Sequence, residues 1–235
     1  MTISKLFKSI SCAAVFVLSS VQANASIIVA SGDTNLGTGV STFYSNMFGG
    51  ADVFATTGWS TGNTSSSMSS AANTFTSGTL SAAALNGIEW FVASTNNTYS
   101  ASELSIIANF VANGGNLFVL GEQDSSYHSM NVVANSVLAA VGSTMTIGQP
   151  QSSPGTWLST GSHIGVDALT SGITSFGGNY AGTVTGGTSL FTVDGSGQVV
   201  IAVQRLDNNQ VPEPATLVLL GLGLLGFAAV RRNKQ

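Results

Sequence analysis

Acidic side chains follow two apolar segments of this chain, at positions where parallel strands would end. Asp33 comes just after the run Ile27–Ser31, and Glu122 and Asp124 follow the run Asn116–Gly121. Ligands of open α/β sheets collect beyond the carboxyl ends of the strands, and hard oxygen ligands suit Ca²⁺. One hypothesis is therefore a ligand or calcium site built from Asp33, Glu122 and Asp124. The alternative, which we favour, is that Asp124 supplies negative charge at the start of a helix, since the spacing matches no known calcium loop.

Serine and histidine offer a second chemistry. Ser125 or Ser126 would be the nucleophile of a hydrolase, with His128 or His163 as its base. No Gly-x-Ser-x-Gly elbow surrounds either serine, and serine is so abundant here that finding one near a histidine carries little information. A divergent serine hydrolase is therefore the least favoured hypothesis.

Charge is scarce in the middle of the chain. Between Ser26 and Val211, Arg205 is the only basic residue against nine acidic ones, which gives this part a net charge of about −8, whereas the whole chain carries −4. Nucleic-acid binding needs lysine and arginine against phosphates and is excluded. Adhesion to an anionic lipid surface is disfavoured for the same reason.

Strand and helix patterns alternate through the first two thirds of residues 26–210. Strands are predicted at Ile27–Ser31, Asp52–Thr56, Ile88–Ser94 and Asn116–Gly121, because these are short apolar runs. Helical faces lie between and after them, and their apolar positions are Val40, Phe43, Tyr44 and Met47, then Leu104, Ile107, Ala108 and Val111, then Val132, Val133, Val137, Leu138 and Val141. Strand–helix–strand units at this spacing predict a mainly parallel sheet covered by helices, which is an α/β fold of three layers.

The remaining segments are less regular. Gly58–Gly78 is rich in serine and threonine and fits a helix or a loop. Gly148–Gly161 is predicted to be a loop because it contains two prolines. Two apolar runs flank Asp194-Gly195-Ser196-Gly197, which predicts a C-terminal β-hairpin.

The first 25 residues have the order of a signal peptide. Lys5 and Lys8 precede an apolar stretch, and Ala23-Asn24-Ala25 forms a small-x-small cleavage site, so the mature chain is expected to start at Ser26 after passage through the Sec machinery. Cys12 is the only cysteine and lies inside this segment. The mature chain would then have no thiol nucleophile and no disulfide.

The last 25 residues combine three features. Pro212-Glu213-Pro214 cannot continue a helix or a strand, residues 215–230 carry no charge, and Arg231 and Arg232 begin a basic end at residues 231–235. This order resembles the PEP-CTERM sorting signal of exported bacterial proteins. The resemblance implies recognition by an exosortase through Pro212, Glu213 and Pro214, with a short transmembrane helix held by Arg231 and Arg232. The alternative is an ordinary C-terminal membrane anchor.

A second resemblance concerns the middle of the chain. The segment Leu104–Glu122, a helix that ends in Gly-Gly and leads into a Leu-Phe-Val-Leu-Gly-Glu strand, resembles glutamine-amidotransferase-like domains, which have flavodoxin-like folds. Asp167–Ile173 and the terminal hairpin resemble the second half of the same folds. A catalytic member needs cysteine after the strand that ends at Gly121, and Glu122-Gln123-Asp124 stands there instead. The resemblance therefore implies a scaffold without amidotransferase activity.

These observations predict three parts: a signal peptide at 1–25, an exported domain at 26–210 and a sorting signal at 211–235. The predicted protein is non-catalytic, needs no cofactor, is held briefly at the inner membrane and then passes to the cell envelope or an exopolysaccharide matrix. The rival hypothesis is a glycan- or calcium-binding module with its ligand near Asp33, Asn96, Glu122 and Asp124.

Overall fold

The computed structural model describes residues 25–56, 62–93, 98–150 and 155–206, all within one compact unit that spans residues 24–207. For residues 62–65, 124–126 and 149–150 it describes the backbone only. The predicted signal peptide, the predicted sorting signal with its transmembrane segment, and Asn96 lie outside the described residues. Within the described ranges, no helix combines the length and the apolar character that crossing a bilayer requires.

Eleven strands and four helices make up the described part of the chain. The strands are β1 Ser26–Ser31, β2 Asp52–Thr56, β3 Thr74–Gly78, β4 Trp90–Ala93, β5 Asn116–Leu120, β6 Thr146–Pro150, β7 Thr156–Thr160, β8 Ser175–Asn179, β9 Gly182–Thr185, β10 Thr188–Thr192 and β11 Val199–Leu206. The helices are α1 Val40–Phe48, α2 Gly62–Ala71, α3 Ala101–Ala112 and α4 Asp124–Ala140.

Seven strands form the central sheet in the order β10-β11-β1-β5-β4-β2-β3. The five strands from β1 to β3 in that order run parallel, and β11 and β10 are antiparallel additions at one edge. The predicted mixed α/β fold with a mainly parallel sheet and a C-terminal hairpin is confirmed.

The predicted flavodoxin-like strand order is not confirmed. Flavodoxin-like sheets have the strand order 2-1-3-4-5, in which the first strand lies inside the parallel set. Here β1 lies at one end of the parallel set, and the order of its five strands is β1-β5-β4-β2-β3. The physical reason is that β1 is apolar on both faces and pairs over its whole length with the hairpin strand β11, from Ser26 opposite Leu206 to Ser31 opposite Ile201. Its other edge pairs with β5, so no side remains for β2.

Two apolar layers cover the two faces of the sheet. Phe118 and Leu120 of β5 pack with helices α1 and α2, while Leu117 and Val119 pack with α3 and α4. This alternation follows from the two-residue period of a strand. It gives the three layers that the sequence predicted.

Aromatic rings tie helix α1 to the C-terminal half of the chain. Phe43 contacts Phe176 of β8 and Phe191 of β10 at ring centroid distances of 5.3 and 5.4 Å, and those two rings stack on each other at 3.8 Å. Edge and offset contacts of this kind add to the gain from burying the rings. The hairpin and β8 are therefore anchored to the same core as the parallel sheet.

Helix α3 ends at the predicted glycine pair and begins with a side-chain cap. Ser100 accepts a hydrogen bond from the backbone N–H of Glu103, whose side chain accepts one from the N–H of Ser100, which is a complete capping box. Gly114, with φ 95°, follows the helix in the left-handed region that favours glycine.

Three local predictions differ from the structure. The serine-rich segment forms helix α2 and then the edge strand β3, because β2 offers a free edge. The predicted loop at 148–161 contains β7, which pairs with β8. Val132 was predicted on the buried face of its helix but is 55% exposed.

Two small sheets, β6–β9 and β7–β8, lie beyond the central sheet. The segment that joins β8 to β9 meets the end of β1 backbone to backbone: the N–H of Gly182 donates to the carbonyl of Gly32 at 2.7 Å. A Cβ on Gly32 would lie 2.1 Å from the carbonyl oxygen of Gly182. Only glycine fits at this position.

Replacing Gly32 with alanine should therefore destabilise the domain by roughly 1–3 kcal/mol, the usual cost of overpacking a well-packed interior. Chemical denaturation of the full chain in detergent measures this change. Gly37→Ala is the matched control, because a Cβ there has its nearest neighbour at an ordinary 3.7 Å. Equal stability of the two variants would contradict the close approach.

Candidate functional site

Asp33 is a fully buried carboxyl group just beyond the end of β1. Its Oδ2 accepts a hydrogen bond of 2.7 Å from Trp157 Nε1, and its Oδ1 accepts one from the backbone N–H of Asn35. Burial, and to a smaller extent the nearby Glu122 carboxyl, raise the pKa of Asp33 to about 7 against the lowering effect of these hydrogen bonds. Asp33 is thus a carboxyl that changes charge near neutral pH, inside the protein.

Glu122 lies at the end of β5, and its side chain is bound on both oxygens. Thr34 donates its hydroxyl to Oε2, and the backbone N–H of Gln123 donates to Oε1 at 3.0 Å. The amide of Asn131 holds the backbone of Glu122 from both sides, at 2.9 and 2.8 Å. Burial raises the pKa of Glu122 despite these donors. The structure thus brings Asp33 and Glu122 to the same edge of the sheet.

A groove of about 300 Å³ opens beside Glu122. Its lining is polar and aromatic and consists of Asn35, Glu122, Gln123, Tyr127, Asn179 and Tyr180. Reasoning from sequence singled out only Glu122 among these six. The others come from three separated segments, and the two tyrosines lie 53 positions apart in the chain. The sequence feature that comes nearest to indicating this groove is Gly177-Gly178-Asn179-Tyr180, where an aromatic residue stands in a glycine-rich segment.

The predicted three-acid site stays a prediction, because the structure describes the side chains of only two of its acids, Asp33 and Glu122. Among the side chains that the structure describes, no group of three or more histidine, cysteine, aspartate or glutamate residues is placed to hold a metal ion. The side chain of Asp124 lies outside that description, and its backbone begins helix α4. Both carboxyl oxygens of Asp33 already accept hydrogen bonds from N–H groups. The two remaining acids are buried, and burial raises the pKa of each, which makes them a poor set of ligands for Ca²⁺.

The predicted hydrolase residues are not brought together by the described side chains. Ser125 and Ser126 are placed only by their backbone, in the first turn of α4, and His128 is exposed on that helix. The ring of His163 contacts Thr192 Oγ1 at 3.0 Å and lies 4.0 Å from Asp194 Oδ1. His163 is therefore bound to the hairpin corner rather than to a serine.

One serine motif was missed in the sequence. Gly58-Trp59-Ser60-Thr61-Gly62 has the Gly-x-Ser-x-Gly spacing; strand β2 ends before it and helix α2 begins at Gly62, and a strand and a helix flank a nucleophile elbow in the same order. Residues 57–61 lie outside the described residues. A test for hydrolase chemistry must therefore include Ser60 as well as Ser126.

Comparison with known families locates one match, at the C-terminal end. A family model described as the PEP-CTERM protein-sorting motif matches residues 210–232. The matched range contains Pro212, Glu213 and Pro214 as well as Arg231 and Arg232. It supports an exported protein that an exosortase recognises and sorts to the cell envelope or surface. No curated protein and no solved structure matches the chain, so the amidotransferase-like resemblance gains no support.

The buried carboxyl predicts how stability depends on pH. A carboxyl whose pKa is raised on folding stabilises the protein below its ordinary pKa of 3.8, and this stabilisation is lost as pH rises through about 7. At about 1.4 kcal/mol per pKa unit, the free energy of unfolding should fall by at most about 4 kcal/mol between pH 4 and pH 8. Urea denaturation of the full chain across this range measures the fall.

Asp33→Asn should remove most of this slope while lowering stability at acid pH, because the amide cannot accept both N–H donors. Asp52→Asn is the control: Asp52 is only partly buried, and hydrogen bonds from Thr74 and Asn73 lower its pKa, so it titrates below this range. A wild-type stability that does not change between pH 5 and pH 8 would contradict the assignment.

Proposed function

We propose that this chain is a non-catalytic exported protein that an exosortase releases near Pro212-Glu213-Pro214 and delivers to the envelope or an exopolysaccharide matrix. The single observation that carries the proposal is the sorting motif at residues 210–232. A signal peptide at 1–25 would bring the chain to the membrane through the Sec machinery. Ala23 and Ala25 would be the two small residues of its cleavage site, and cleavage would follow Ala25.

The chemistry of the tail explains how it would work. Proline fixes φ and cannot donate a hydrogen bond, so Pro212-Glu213-Pro214 would not join a helix or a strand and would be open to a processing enzyme. The uncharged segment 215–230 would be about 24 Å long as a helix, shorter than a bilayer core of about 30 Å. Arg231 and Arg232 would stay on the cytoplasmic side. A short span with a basic end holds the protein long enough for cleavage.

The charge distribution agrees with this route. Arg205, the only basic residue between Ser26 and Val211, is paired with Asp167 at 2.9 Å. The other five basic residues lie in the two predicted processed ends. Processing would therefore release an acidic domain with no free arginine or lysine, which avoids adhesion to anionic surfaces.

A binding module is the second candidate, and the groove favours it. Its lining combines half-exposed tyrosines with amide side chains, the composition of a small-ligand site. The domain would hold its ligand without a resident metal or other cofactor.

Changing Pro212, Glu213 and Pro214 together to alanine should abolish processing, because the tripeptide would no longer interrupt regular structure before the membrane segment. Cell fractionation of the producing bacterium and immunoblotting of the exported domain would then find the unprocessed chain in the inner membrane. Deletion of the exosortase should give the same result. An Asn208→Ala, Asn209→Ala double variant is the control and should be processed normally. Equal processing of the triple variant and the wild type would exclude the sorting proposal.

The absence of catalysis is testable with an activity probe. A fluorophosphonate reagent, which labels activated serines, should leave the wild-type chain unlabelled. Ser60→Ala and Ser126→Ala variants identify the residue if labelling occurs. Labelling that disappears in either variant would replace the non-catalytic proposal with a serine hydrolase.

A further inference from the structure

We propose that the groove beside Glu122 binds a neutral saccharide, with Tyr127 and Tyr180 as stacking surfaces for a sugar ring. The inference deepens the binding-module candidate and rests on it. It does not depend on how the tail is processed.

The two tyrosines are conspicuous among the exposed residues. Each is 48% exposed, and they are two of the five large hydrophobic side chains that the described residues leave exposed. Both line the same groove. Tyrosine presents a broad apolar face at a low cost in side-chain entropy and keeps a hydroxyl for hydrogen bonding. Two such faces around one opening suit a sugar ring, which can stack its apolar C–H face on a tyrosine ring.

The backbone at both tyrosines departs from regular structure. Tyr180 has φ 60° and is the only non-glycine residue of the described part with positive φ. Tyr127 has φ −131° and ψ 33° inside helix α4. The left-handed conformation of a non-glycine residue such as Tyr180 costs about 1–3 kcal/mol, and conformations of this kind cluster at ligand sites. Glycine would avoid the strain at position 180, so an aromatic residue there indicates a requirement for the ring.

The surrounding contacts hold Tyr180 in place. Its N–H donates to the carbonyl of Gly155 at 2.9 Å, and the next residue, Ala181, is fully buried. A Cβ on Gly182 would lie 2.7 Å from the carbonyl oxygen of Glu122, so this segment packs directly on the end of β5. The ring is thus presented from a fixed backbone, which reduces the entropy lost on binding.

The polar part of the lining suits hydroxyl groups. Asn35 and Asn179 carry amides, which both donate and accept hydrogen bonds, as sugar hydroxyls do. The Oδ1 of Asn179 accepts a hydrogen bond of 3.0 Å from Thr156, which orients the amide. Glu122 adds a carboxyl that is already bound by Thr34 and Gln123 and is therefore rigid.

Charge selects a neutral ligand over an ionic one. The lining contains no lysine or arginine, and the only arginine of the domain is paired with Asp167, so an anion would find no partner. A divalent cation would find Glu122 as the single acid of the lining. Neutral polyols remain, and a pyranose ring, with C–H groups on one face and hydroxyls at its rim, matches both the tyrosines and the amides. The volume of about 300 Å³ fits a short saccharide at the lower end of small-ligand sites, which span about 300–1,000 Å³.

Binding should be measured on the full chain, purified in a detergent without a sugar headgroup. Isothermal titration calorimetry would test methyl glycosides of glucose, galactose, mannose and N-acetylglucosamine, together with maltohexaose and cellohexaose. We expect saturable binding of at least one of these, and binding that persists in EDTA. Tyr127→Ala and Tyr180→Gly should each weaken it about tenfold, whereas Tyr127→Phe, which keeps the ring, and Val166→Ala, a distant exposed position, should keep affinity within about threefold.

Tyr180→Gly also separates loss of binding from loss of folding. Its thermal midpoint should equal or exceed that of the wild type, because glycine relieves the positive φ. Weaker binding in a variant of undiminished stability would support the site. Absence of saturation by every saccharide up to about 10 mM, binding unaffected by both tyrosine variants, or binding lost in EDTA would each overturn it. None of these results depends on processing of the tail, so the two proposals fail separately.

Discussion

The close approach of two backbones at Gly32 and Gly182 is the contact on which the carboxyl edge of this domain depends. It brings the segment between β8 and β9 down onto the ends of β1 and β5, where it closes over Asp33 and runs past Glu122. Neither glycine has room for a Cβ, and a Cβ on Gly178 would meet Asp33 Oδ2 at 2.2 Å. Because no side chain separates the layers there, water is excluded, and the carboxyl of Asp33 must find its hydrogen-bond donors within the protein.

Exclusion of water explains the chemistry of this edge. Trp157 and two backbone N–H groups hold Asp33, yet desolvation outweighs them and raises its pKa to about 7. Glu122, nearer the surface, keeps one side toward the groove while Thr34 and Gln123 hold its oxygens. The same covering segment carries Tyr180 and Asn179 to the rim. The buried carboxyl and the open groove are therefore two results of one packing arrangement.

Export and binding place compatible demands on this composition. A domain with one paired arginine has little attraction for anionic membranes or nucleic acids, and its solubility rests on hydroxyl and amide side chains. Such a surface offers few strong competitors for a neutral ligand, so recognition in the proposed binding module would fall to the aromatic faces of the groove. The basic residues that the domain lacks are concentrated in the first 25 and the last 25 residues of the chain.

Local patterns in the sequence were sufficient for much of the fold. The apolar run of β5, the glycine pair that ends helix α3 and the hairpin around Asp194-Gly195-Ser196-Gly197 each depend on residues close in the chain, and each formed as predicted. The sorting motif is likewise a contiguous pattern, which is why it could be read directly. Tertiary structure alone decided the position of β1 beside β11, the burial of Asp33 and the placement of Tyr127 and Tyr180 along one groove. The reason is that these three features depend on contacts between segments far apart in the sequence. The free energy of such contacts cannot be inferred from a local sequence pattern.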